Sequence, residues 1–369
     1  MELKKTVRYS ISKESIILPC RKNYKPKSWG LGGVVDSNGN FIHDSGLYMN
    51  WISFGGVYNY DASDLCYENK NVIWFGFFYK HWGHFLLDFV SRMWYLMDHY
   101  KGEDIVYVSH EHIIDSNYLE FFKLLGIDES KIRRVSHPTR FNNIIIPEYS
   151  KSESYYNEKY ALLFKHISTF VLNKNNNDIK NMFSGKSFYL SRASFIDAAK
   201  KEIGESDIEY AFNASGFESI SPENLSLQEQ ILMWNLSERI ACINGTLPLN
   251  FLFGNNKLNL IVLNKTKLTH RNLDDVLQIM KPDNIKFIDI FDKNFLWASK
   301  NIGDGPFVLK LTPSLREYLG IQDHTRDNFL KFLRSAIFVS TFKLKKIMIS
   351  HLKKIIKKII IFKSLLFKR

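Results

Sequence analysis

Residues 187–253 decide the fold of this chain. They begin with SFYLSR at 187–192 and continue, after a charged stretch, with FESISPENLSLQEQILMWNLSERIACINGTLPLNFLF at 217–253. Short runs rich in β-branched and aromatic residues alternate here with longer runs at helical spacing. This alternation is typical of βαβ units and predicts a parallel sheet. The predicted strands are 187–192, 217–220 and 240–243.

Polar residues follow two of these predicted strands. Arg192 ends the first, and Asn244, Gly245 and Thr246 follow the third and lead into the next helix. In open parallel sheets, ligands bind at the carboxyl ends of strands, where loops lead into helices. We therefore expect this half of the chain to hold the active site. An arginine at a strand end is also common as a plain surface residue, and both interpretations of Arg192 stay open.

The helix between the second and third strands carries a recognisable start. Ser226 and Glu229 have the spacing of a capping box, and an amphipathic run follows to Ser237. Another helix is predicted from Asp207 to Ser215, ending at Gly216. Glu229 is a candidate donor-binding residue, although the capping role is the one we prefer for it.

Residues 71–100 form the second informative stretch. A buried strand is predicted at 72–78, and the pattern becomes helical from about His81. His84, Asp88 and Arg92 are spaced four apart, so they share one face of that helix. The pair of His84 and Asp88 is either a structural hydrogen bond beside a core helix or a catalytic pair in which one group orients the other.

The rest of the chain also alternates strands with helices. Residues 1–70 are interpreted as short strands and loops, and the glycine cluster 30–33 lacks the spacing of a nucleotide-binding loop. The Lys- and Asn-rich stretch 174–181 is the best candidate linker. The predicted divisions are 1–178 as an acceptor-side α/β domain, 179–310 as a Rossmann-like donor domain, 311–340 as helices packed on the body and 341–369 as a basic tail.

The composition indicates which cellular compartment and which binding partners to expect. The chain has 369 residues, long enough for two domains, and a formal net charge of +12. Since 12 of its 50 basic residues and none of its 38 acidic residues lie in 331–369, the first 330 residues are balanced at 38 of each. A neutral body argues against nucleic acid as a partner. Three cysteines without paired spacing fit a reducing compartment, and five glycosylation-type sequences, one of them at Asn244, favour the cytoplasm.

The tail has the pattern of a basic amphipathic helix. Isoleucines at 355, 356, 359 and 360 fall on one side, and Lys353, Lys354, Lys357 and Lys358 fall on the other. Lysines interrupt the segment too often for it to cross a bilayer. Such a helix is typical of segments that lie on an anionic membrane surface. The alternatives are a disordered tail and a tail that binds nucleic acid.

Three segments in order resemble the glycosyltransferase 61 family, the DUF563-type or capsular-polysaccharide glycosyltransferases. The resemblance spans roughly residues 70–295, and no single motif in it is specific by itself. The segments are 77–95 with HWGHFLLD at 81–88, 121–147 with FFKLLGID, KIRRV and FNNIIIP, and 187–253 with YLSR, GFE, LSLQEQ and NFLF. One departure stands out: Asn244 occupies the place of a histidine in the family's Gly-Pro-His-Gly-Ala-Gly-like turn, which leaves both the donor and full activity open.

The resemblance implies a GT-B architecture, in which two Rossmann-like domains face each other across a cleft, and an inverting sugar transfer from a nucleotide sugar. With the resemblance, we take Asp88 as the base, with His84 orienting either Asp88 or the acceptor, and an acceptor side that includes His81, Trp82 and Arg92. The implied donor-binding residues are Arg192, Lys201, Glu229, Asn244, Gly245 and Thr246. The sequence holds no Asp-x-Asp, so we expect no metal and no cofactor.

The expected function is transfer of a sugar to a glycan or lipid-linked acceptor in surface-polysaccharide synthesis, in the cytoplasm at the inner face of the plasma membrane. One alternative is a non-catalytic sugar-binding or assembly protein of a polysaccharide machine. Another is a protein that binds nucleic acid through its tail.

Overall fold

A computed structural model describes residues 1–22, 27–298, 302–322 and 329–366 as a mixed α/β protein with two large sheets. The strands are β1 Glu2–Leu3, β2 Tyr9–Arg21, β3 Ser28–Val35, β4 Leu47–Tyr48, β5 Ser53–Phe54, β6 Cys66–Phe77, β7 Asp104–Val108, β8 Ile132–Arg134, β9 Thr139–Pro147, β10 Tyr155–Tyr156, β11 Ser187–Leu190, β12 Glu202–Ile203, β13 Glu218–Ile220, β14 Arg239–Ile243, β15 Asn259–Asn264, β16 Asn284–Asp289 and β17 Phe307–Val308.

Helices cover the sheets and connect their strands. The α-helices are α1 Trp82–His84, α2 Trp94–His99, α3 Ser116–Leu124, α4 Glu158–Lys174, α5 Asn177–Asn181, α6 Ile196–Ala199, α7 Glu205–Ala214, α8 Leu227–Leu236, α9 Arg271–Met280, α10 Pro313–Leu319 and α11 Phe329–Leu366. A π-helical turn covers Phe85–Phe89, and 3₁₀ helices cover His43–Ser45, Ala62–Asp64, Val90–Arg92, Glu129–Lys131, Pro222–Asn224, Leu247–Phe253 and Lys293–Ala298.

The first sheet has eight strands in the order β4-β5-β3-β2-β9-β6-β7-β8. Strands β9, β6, β7 and β8 run parallel, whereas β2 is antiparallel to both β9 and β3. The parallel part has the chain order 3-2-1-4 when counted from β6, and its order reverses between β6 and β9. Loops that leave the carboxyl ends of these two strands therefore border a crevice, where ligands bind in sheets of this kind.

The second sheet is parallel throughout, in the order β13-β11-β14-β15-β16. The predicted strands at 187–192, 217–220 and 240–243 are β11, β13 and β14, so the prediction of a parallel sheet is confirmed. The predicted capping box is also present, with reciprocal bonds between Ser226 and Glu229 at the start of α8. Counted along the chain, the strand order is 2-1-3-4-5, and it reverses between β11 and β14.

Helix α4 ties the segments that leave the two sheets. The hydroxyl of the fully buried Tyr160 donates to Leu86 O at 2.9 Å, inside the π-helical turn after β6. About two turns farther on, Ser168 Oγ donates to Phe253 O at 3.0 Å, at the end of the 3₁₀ helix after β14. The buried apolar cluster that includes Phe75, Phe164, Leu232 and Val262 runs from the first sheet to the second. The predicted division into domains at 178 and 310 stays a prediction.

The prediction of only short strands and loops for residues 1–70 is wrong. Residues 1–70 contain the 13-residue strand β2 and the start of the 12-residue β6, in addition to short strands and loops. The glycine cluster lies in β3, where a Cβ on Gly30 would come within 2.6 Å of Arg21 O, so the glycine permits close pairing with β2. The stretch 174–181 contains helix α5, because the Asn176 side chain caps it by accepting from Ile179 N.

The predicted division at residue 340 falls inside a helix. Helix α11 runs without a break from Phe329 to Leu366, and its residue Val339 is buried against Phe295 and Val308. Within the described part of the chain, no helix is both long enough and apolar enough to span a membrane. Lys353 and Lys354 are exposed, whereas the side chains of Lys357 and Lys358 lie outside the described residues.

Arg92 is a structural residue rather than an acceptor-side residue, which corrects the expectation from its spacing. It is fully buried, and its guanidinium donates to Pro147 O and, at 2.5 Å, to Asp44 O. Its Cζ also lies 3.9 Å from the centre of the Tyr149 ring. The π-helical turn and the 3₁₀ helix that follow His84 rotate Arg92 away from the face that a regular helix would give it.

We expect Arg92→Met to lower the free energy of unfolding by about 3 kcal/mol, because the carbonyls of Asp44 and Pro147 would lose a charged donor. Urea titration followed by tryptophan fluorescence measures this change. The matched control is Arg134→Met, at an exposed arginine of β8, for which we expect a loss below about 0.5 kcal/mol. Equal and small losses in both variants would contradict the structural role of Arg92.

Candidate functional site

The reversal point of the second sheet brings together two of the predicted donor-site segments. Arg192 follows β11 and Asn244 follows β14, and these strands are direct neighbours in parallel register. A Cβ built on Gly245 would lie 3.7 Å from Arg192 Nη1 and 3.8 Å from Lys265 Nζ. Two cationic side chains therefore face the main chain of Gly245, as a site for a phosphate group requires.

Lys265 is a site residue that the sequence analysis missed. It directly follows β15, and its side chain is only 5% exposed. Its ammonium donates to Glu202 Oε1 at 2.7 Å, and Arg192 Nη1 lies 3.5 Å from the same oxygen. A lysine placed just after a strand was the available signal, but only the sheet order brings β15 next to β14.

Lys265 is buried, and burial changes its acidity. Desolvation lowers the pKa of Lys265, although the nearby Glu202 carboxylate opposes the shift. The second oxygen of Glu202, Oε2, is buried and has no hydrogen-bond partner among the described residues. Two basic side chains thus approach one carboxylate oxygen, an arrangement that suits an anionic ligand beside them.

Glu205 holds the main chain of Arg192 in place. Its Oε1 accepts from Arg192 N at 2.7 Å and from the Tyr189 hydroxyl at 3.2 Å. Desolvation raises the pKa of this carboxyl to about 7, and the neighbouring Glu202 adds to the shift. The loop geometry after β11 thus depends on a buried acid at the start of α7.

The segment after β14 is not the α-helix start that was expected. A 3₁₀ helix from Leu247 to Phe253 follows Thr246, whose side chain makes no capping hydrogen bond. Pro248 at the start of this segment lacks an N–H, which removes one potential donor to an anion. Gly245 and Thr246 still lie beside the cationic pair, but the contribution from a helix dipole is smaller than the sequence suggested.

The other predicted donor-site residues have different surroundings. The carboxylate of Glu229 accepts from Ser226 N at 2.8 Å and from Ser226 Oγ at 2.7 Å, so it serves the helix cap. Lys201 is exposed and donates to Gly303 O at 3.2 Å. Its charge contributes to lowering the pKa of both His81 and Lys265, which shows that it lies near the two.

His84 and Asp88 meet at the reversal point of the first sheet. His84 Nδ1 lies 2.9 Å from Asp88 Oδ2, and both side chains are about one-fifth exposed, at 21% and 17%. Phe85–Phe89 form a π-helical turn, in which Val90 N bonds Phe85 O and Asp88 O. The predicted contact of the pair is confirmed, and π-helical turns frequently occur at functional sites.

Residues 81–83 contact the segment after β14. Trp82 Nε1 donates to Asn250 Oδ1 at 2.7 Å, and a Cβ on Gly83 would lie 3.3 Å from Leu249 Cδ1. Burial lowers the pKa of His81 to about 4, with smaller contributions from His84 and Lys201. The expected acceptor-side residue Trp82 therefore uses its polar atom to join the two halves, and His81 is neutral at pH 7.

A cavity of about 580 Å³ adjoins this pair. Its walls come from the N-terminal strands and loops, from the segments after β6 and β9, and from the start of α9. Among the described residues, those that line the cavity do not include Arg192 or Gly245. The residues that line the cavity include Tyr48, Trp51, His84, Asp88, Lys151, His270 and Asp275.

Two aromatic side chains of the N-terminal region form part of this cavity wall, and sequence reasoning missed both. Trp51 is 46% exposed, and its ring lies 5.2 Å from that of His84. Tyr48 is equally exposed and stacks on His43 at 4.2 Å. Exposed aromatic rings beside a carboxylate are typical of sites that bind a ligand with both apolar and polar faces. The density of aromatic residues in 1–70 was the only available signal.

Comparison with known proteins gives one family. The family model described as Glycosyltransferase 61 matches residues 82–262. A search of curated proteins found no match. The matched residues include His84, Asp88, Arg192 and Gly245, whereas Trp51, Lys265 and His270 lie outside them. The resemblance inferred from the sequence is therefore confirmed.

We expect Glu205→Gln to raise the free energy of unfolding at pH 8. The folded protein binds the Glu205 proton more tightly than the unfolded chain, so stability is lost as pH rises from about 4.5 to about 7. The loss is ~3 kcal/mol, and glutamine removes it while keeping an oxygen for Arg192 N. Urea titrations at pH 5 and pH 8 measure it, with Glu223→Gln at an exposed residue as the control. An unchanged pH dependence in Glu205→Gln would refute this account.

Proposed function

Since residues 82–262 belong to the glycosyltransferase 61 family, we propose that this chain transfers a sugar from a nucleotide sugar to a glycan or lipid-linked acceptor, with inversion and without a metal. The acceptor belongs to surface-polysaccharide synthesis, and the arrangement is GT-B-like. The observation on which this rests is the His84–Asp88 pair, 2.9 Å apart, at the wall of a cavity lined by segments from both sheets.

The donor diphosphate binds beside Arg192, Lys265 and Gly245. Arg192 offers two N–H groups in a fork, and Lys265 adds a second positive charge near the same main-chain segment. Charge that develops on the leaving group is stabilised by cations already held in place, here by Glu202 and Glu205. Two such cations replace the metal that an Asp-x-Asp would hold, and that motif is absent from the sequence.

Asp88 is the base in this proposal. The acceptor oxygen attacks the anomeric carbon on the face opposite the diphosphate, and its proton passes to the Asp88 carboxylate. The bond between the sugar carbon and the phosphate oxygen breaks, and the nucleoside diphosphate leaves with the electron pair. His84 donates its Nδ1–H to Asp88 Oδ2 and so fixes the direction in which the other carboxylate oxygen points.

The acceptor occupies the 580 Å³ cavity. This volume is large enough for more than one sugar ring, and the exposed rings of Trp51 and Tyr48 provide apolar faces on which such rings can pack. Polar side chains such as Lys151 and Asp275, which lie 3.5 Å apart, line the same space. This favours an acceptor that is rich in hydroxyl groups.

The proposed location is the cytoplasmic face of the plasma membrane, held there through helix α11. Apolar side chains such as Leu344, Ile347 and Met348 are exposed, at 62%, 55% and 69%. Exposed lysines, including Lys353 and Lys354, lie on the same helix. A lipid surface covers such apolar side chains and attracts the lysines, each of which contributes about 1 kcal/mol near anionic lipid.

A non-catalytic sugar-binding protein is the second candidate, and Asn244 is the observation that favours it. Asparagine stands where the family's histidine was expected and cannot carry charge or a proton. Such a protein would bind nucleotide sugars or glycans without turnover. Calorimetry with a panel of nucleoside diphosphate sugars, together with mass spectrometry of the products, separates the two candidates.

We expect Asp88→Asn to lower the kcat for sugar transfer by at least about 100-fold, because asparagine cannot accept the acceptor proton. Binding of the nucleotide sugar, measured by calorimetry, should stay within about twofold of the wild-type value. The matched control is Asp98→Asn in α2, where the carboxylate pairs with Lys159 at the surface. Near-normal turnover by Asp88→Asn would exclude Asp88 as the base.

We expect the full-length protein to sediment with vesicles that contain anionic lipid and to stay in the supernatant with neutral phosphatidylcholine vesicles. Replacement of Lys345, Lys346, Lys353 and Lys354 by Glu should abolish sedimentation, because the charge of the helix is reversed. The control replaces Lys5, Lys13, Lys101 and Lys257, which lie on the body, in the same way. Equal binding of both variants would remove α11 from this role.

A further inference from the structure

A chain of four polar side chains crosses the carboxyl edge of the second sheet. Asp289 Oδ1 accepts from Asn264 Nδ2 at 3.1 Å, and Asn264 Oδ1 accepts from Asn244 Nδ2 at 3.0 Å. Asn244 Oδ1 lies 2.7 Å from His270 Nδ1. Asp289 ends β16, Asn264 ends β15 and Asn244 directly follows β14. His270 directly precedes α9. The register of three adjacent parallel strands therefore builds this chain.

The carboxylate of Asp289 fixes the direction of every hydrogen bond among these four side chains. An ionised carboxylate has no proton, so Asp289 can only accept, and the amide NH₂ of Asn264 must face it. The oxygen of Asn264 then faces the NH₂ of Asn244, and the oxygen of Asn244 faces His270. An amide oxygen also only accepts, so His270 must carry its proton on Nδ1. This leaves a lone pair on Nε2.

The surroundings of His270 keep the imidazole neutral. Burial lowers its pKa to about 4, and the charge of Lys265 adds to the shift. The ring lines the 580 Å³ cavity together with His84 and Asp88. Its Nε2 makes no hydrogen bond within the part of the chain that the structure describes, so this atom is the polar group that the ring offers to a ligand.

We propose that His270 contacts the nucleotide sugar where that substrate meets the acceptor in the cavity, and that its Nε2 accepts a hydrogen bond from a hydroxyl of the nucleotide sugar. Asp289, Asn264 and Asn244 are positioning residues that impose the Nδ1–H tautomer of His270. The hydroxyl contact rests on the proposed function, whereas the tautomer does not. A phosphate oxygen does not fit this position, because neither that oxygen nor Nε2 brings a proton to the contact. The inference gives Asn244 a positive role in place of the missing histidine.

The tautomer is tested without substrate. The protein is labelled with ¹⁵N-histidine, and the resonances of His270 at pH 7 are assigned by their loss in His270→Gln. We expect a protonated Nδ1 and an unprotonated Nε2. Asp289→Asn should produce a mixture of tautomers, because an amide at 289 can donate as well as accept. Asp283→Asn, just before the other end of β16, is the control and should leave the spectrum unchanged. A protonated Nε2 in the wild-type protein would overturn the inference.

The hydroxyl contact is tested with the nucleotide sugar that binds most tightly in the calorimetric panel and with the free nucleoside diphosphate of the same base. A shift of the Nε2 resonance with both ligands assigns the hydroxyl to the ribose, and a shift with the intact nucleotide sugar alone assigns it to the sugar. We expect His270→Ala to weaken that binding about five- to tenfold. Binding that leaves Nε2 unshifted, or that protonates it, would overturn the contact. If no nucleotide sugar binds, the proposed function and the contact fail together. The tautomer measurement still decides whether Asp289, Asn264 and Asn244 position the His270 ring.

Discussion

The site depends on the packing of one helix, α4, against the segments that leave both sheets. Tyr160 bonds the main chain of the π-helical turn that carries His84 and Asp88, and Ser168 bonds the end of the segment after β14. A helix is a rigid connector, since its hydrogen bonds lie within the element. The two halves of the proposed site are therefore held relative to each other by hydrogen bonds in a dry apolar core, and not by the surface loops alone.

Burial sets the electrostatics of this region. His81 and His270 both have a pKa lowered to about 4, so each is neutral at pH 7, whereas the basic groups of Arg192 and Lys265 both lie close to Glu202 Oε1. Basic side chains thus lie after β11 and β15, and the imidazole of His270 at the cavity acts as a neutral hydrogen-bonding group. Such a separation is consistent with the proposed binding of phosphate in one place and of hydroxyl-rich groups in the other.

The segment that matches the family model contains His84, Asp88, Arg192 and the cavity-lining Lys151, but it covers only part of the cavity wall. Trp51 and Tyr48 lie before residue 82, and Lys265 and His270 lie after residue 262. Part of the cavity wall is therefore formed outside the segment that matches the family model. The replacement of a histidine by Asn244 belongs to the same pattern, because Asn244 is hydrogen-bonded to an imidazole that a different loop supplies.

The sequence by itself determined the local structure and the contacts that depend on it. Hydrophobic periodicity and capping residues predicted β11, β14 and α8, and a spacing of four residues predicted the pair of His84 and Asp88. These predictions were possible because each feature involves residues that are close in the chain, within one turn or one strand. Only the tertiary structure decided which strands are neighbours, and so brought Lys265 to Arg192 and His270 to Asn244. It also placed Arg92 in the core, since a π-helical turn shifts the helix phase in a way that hydrophobic periodicity does not encode. Contacts between residues distant in the chain depend on sheet order and packing, which no single segment specifies.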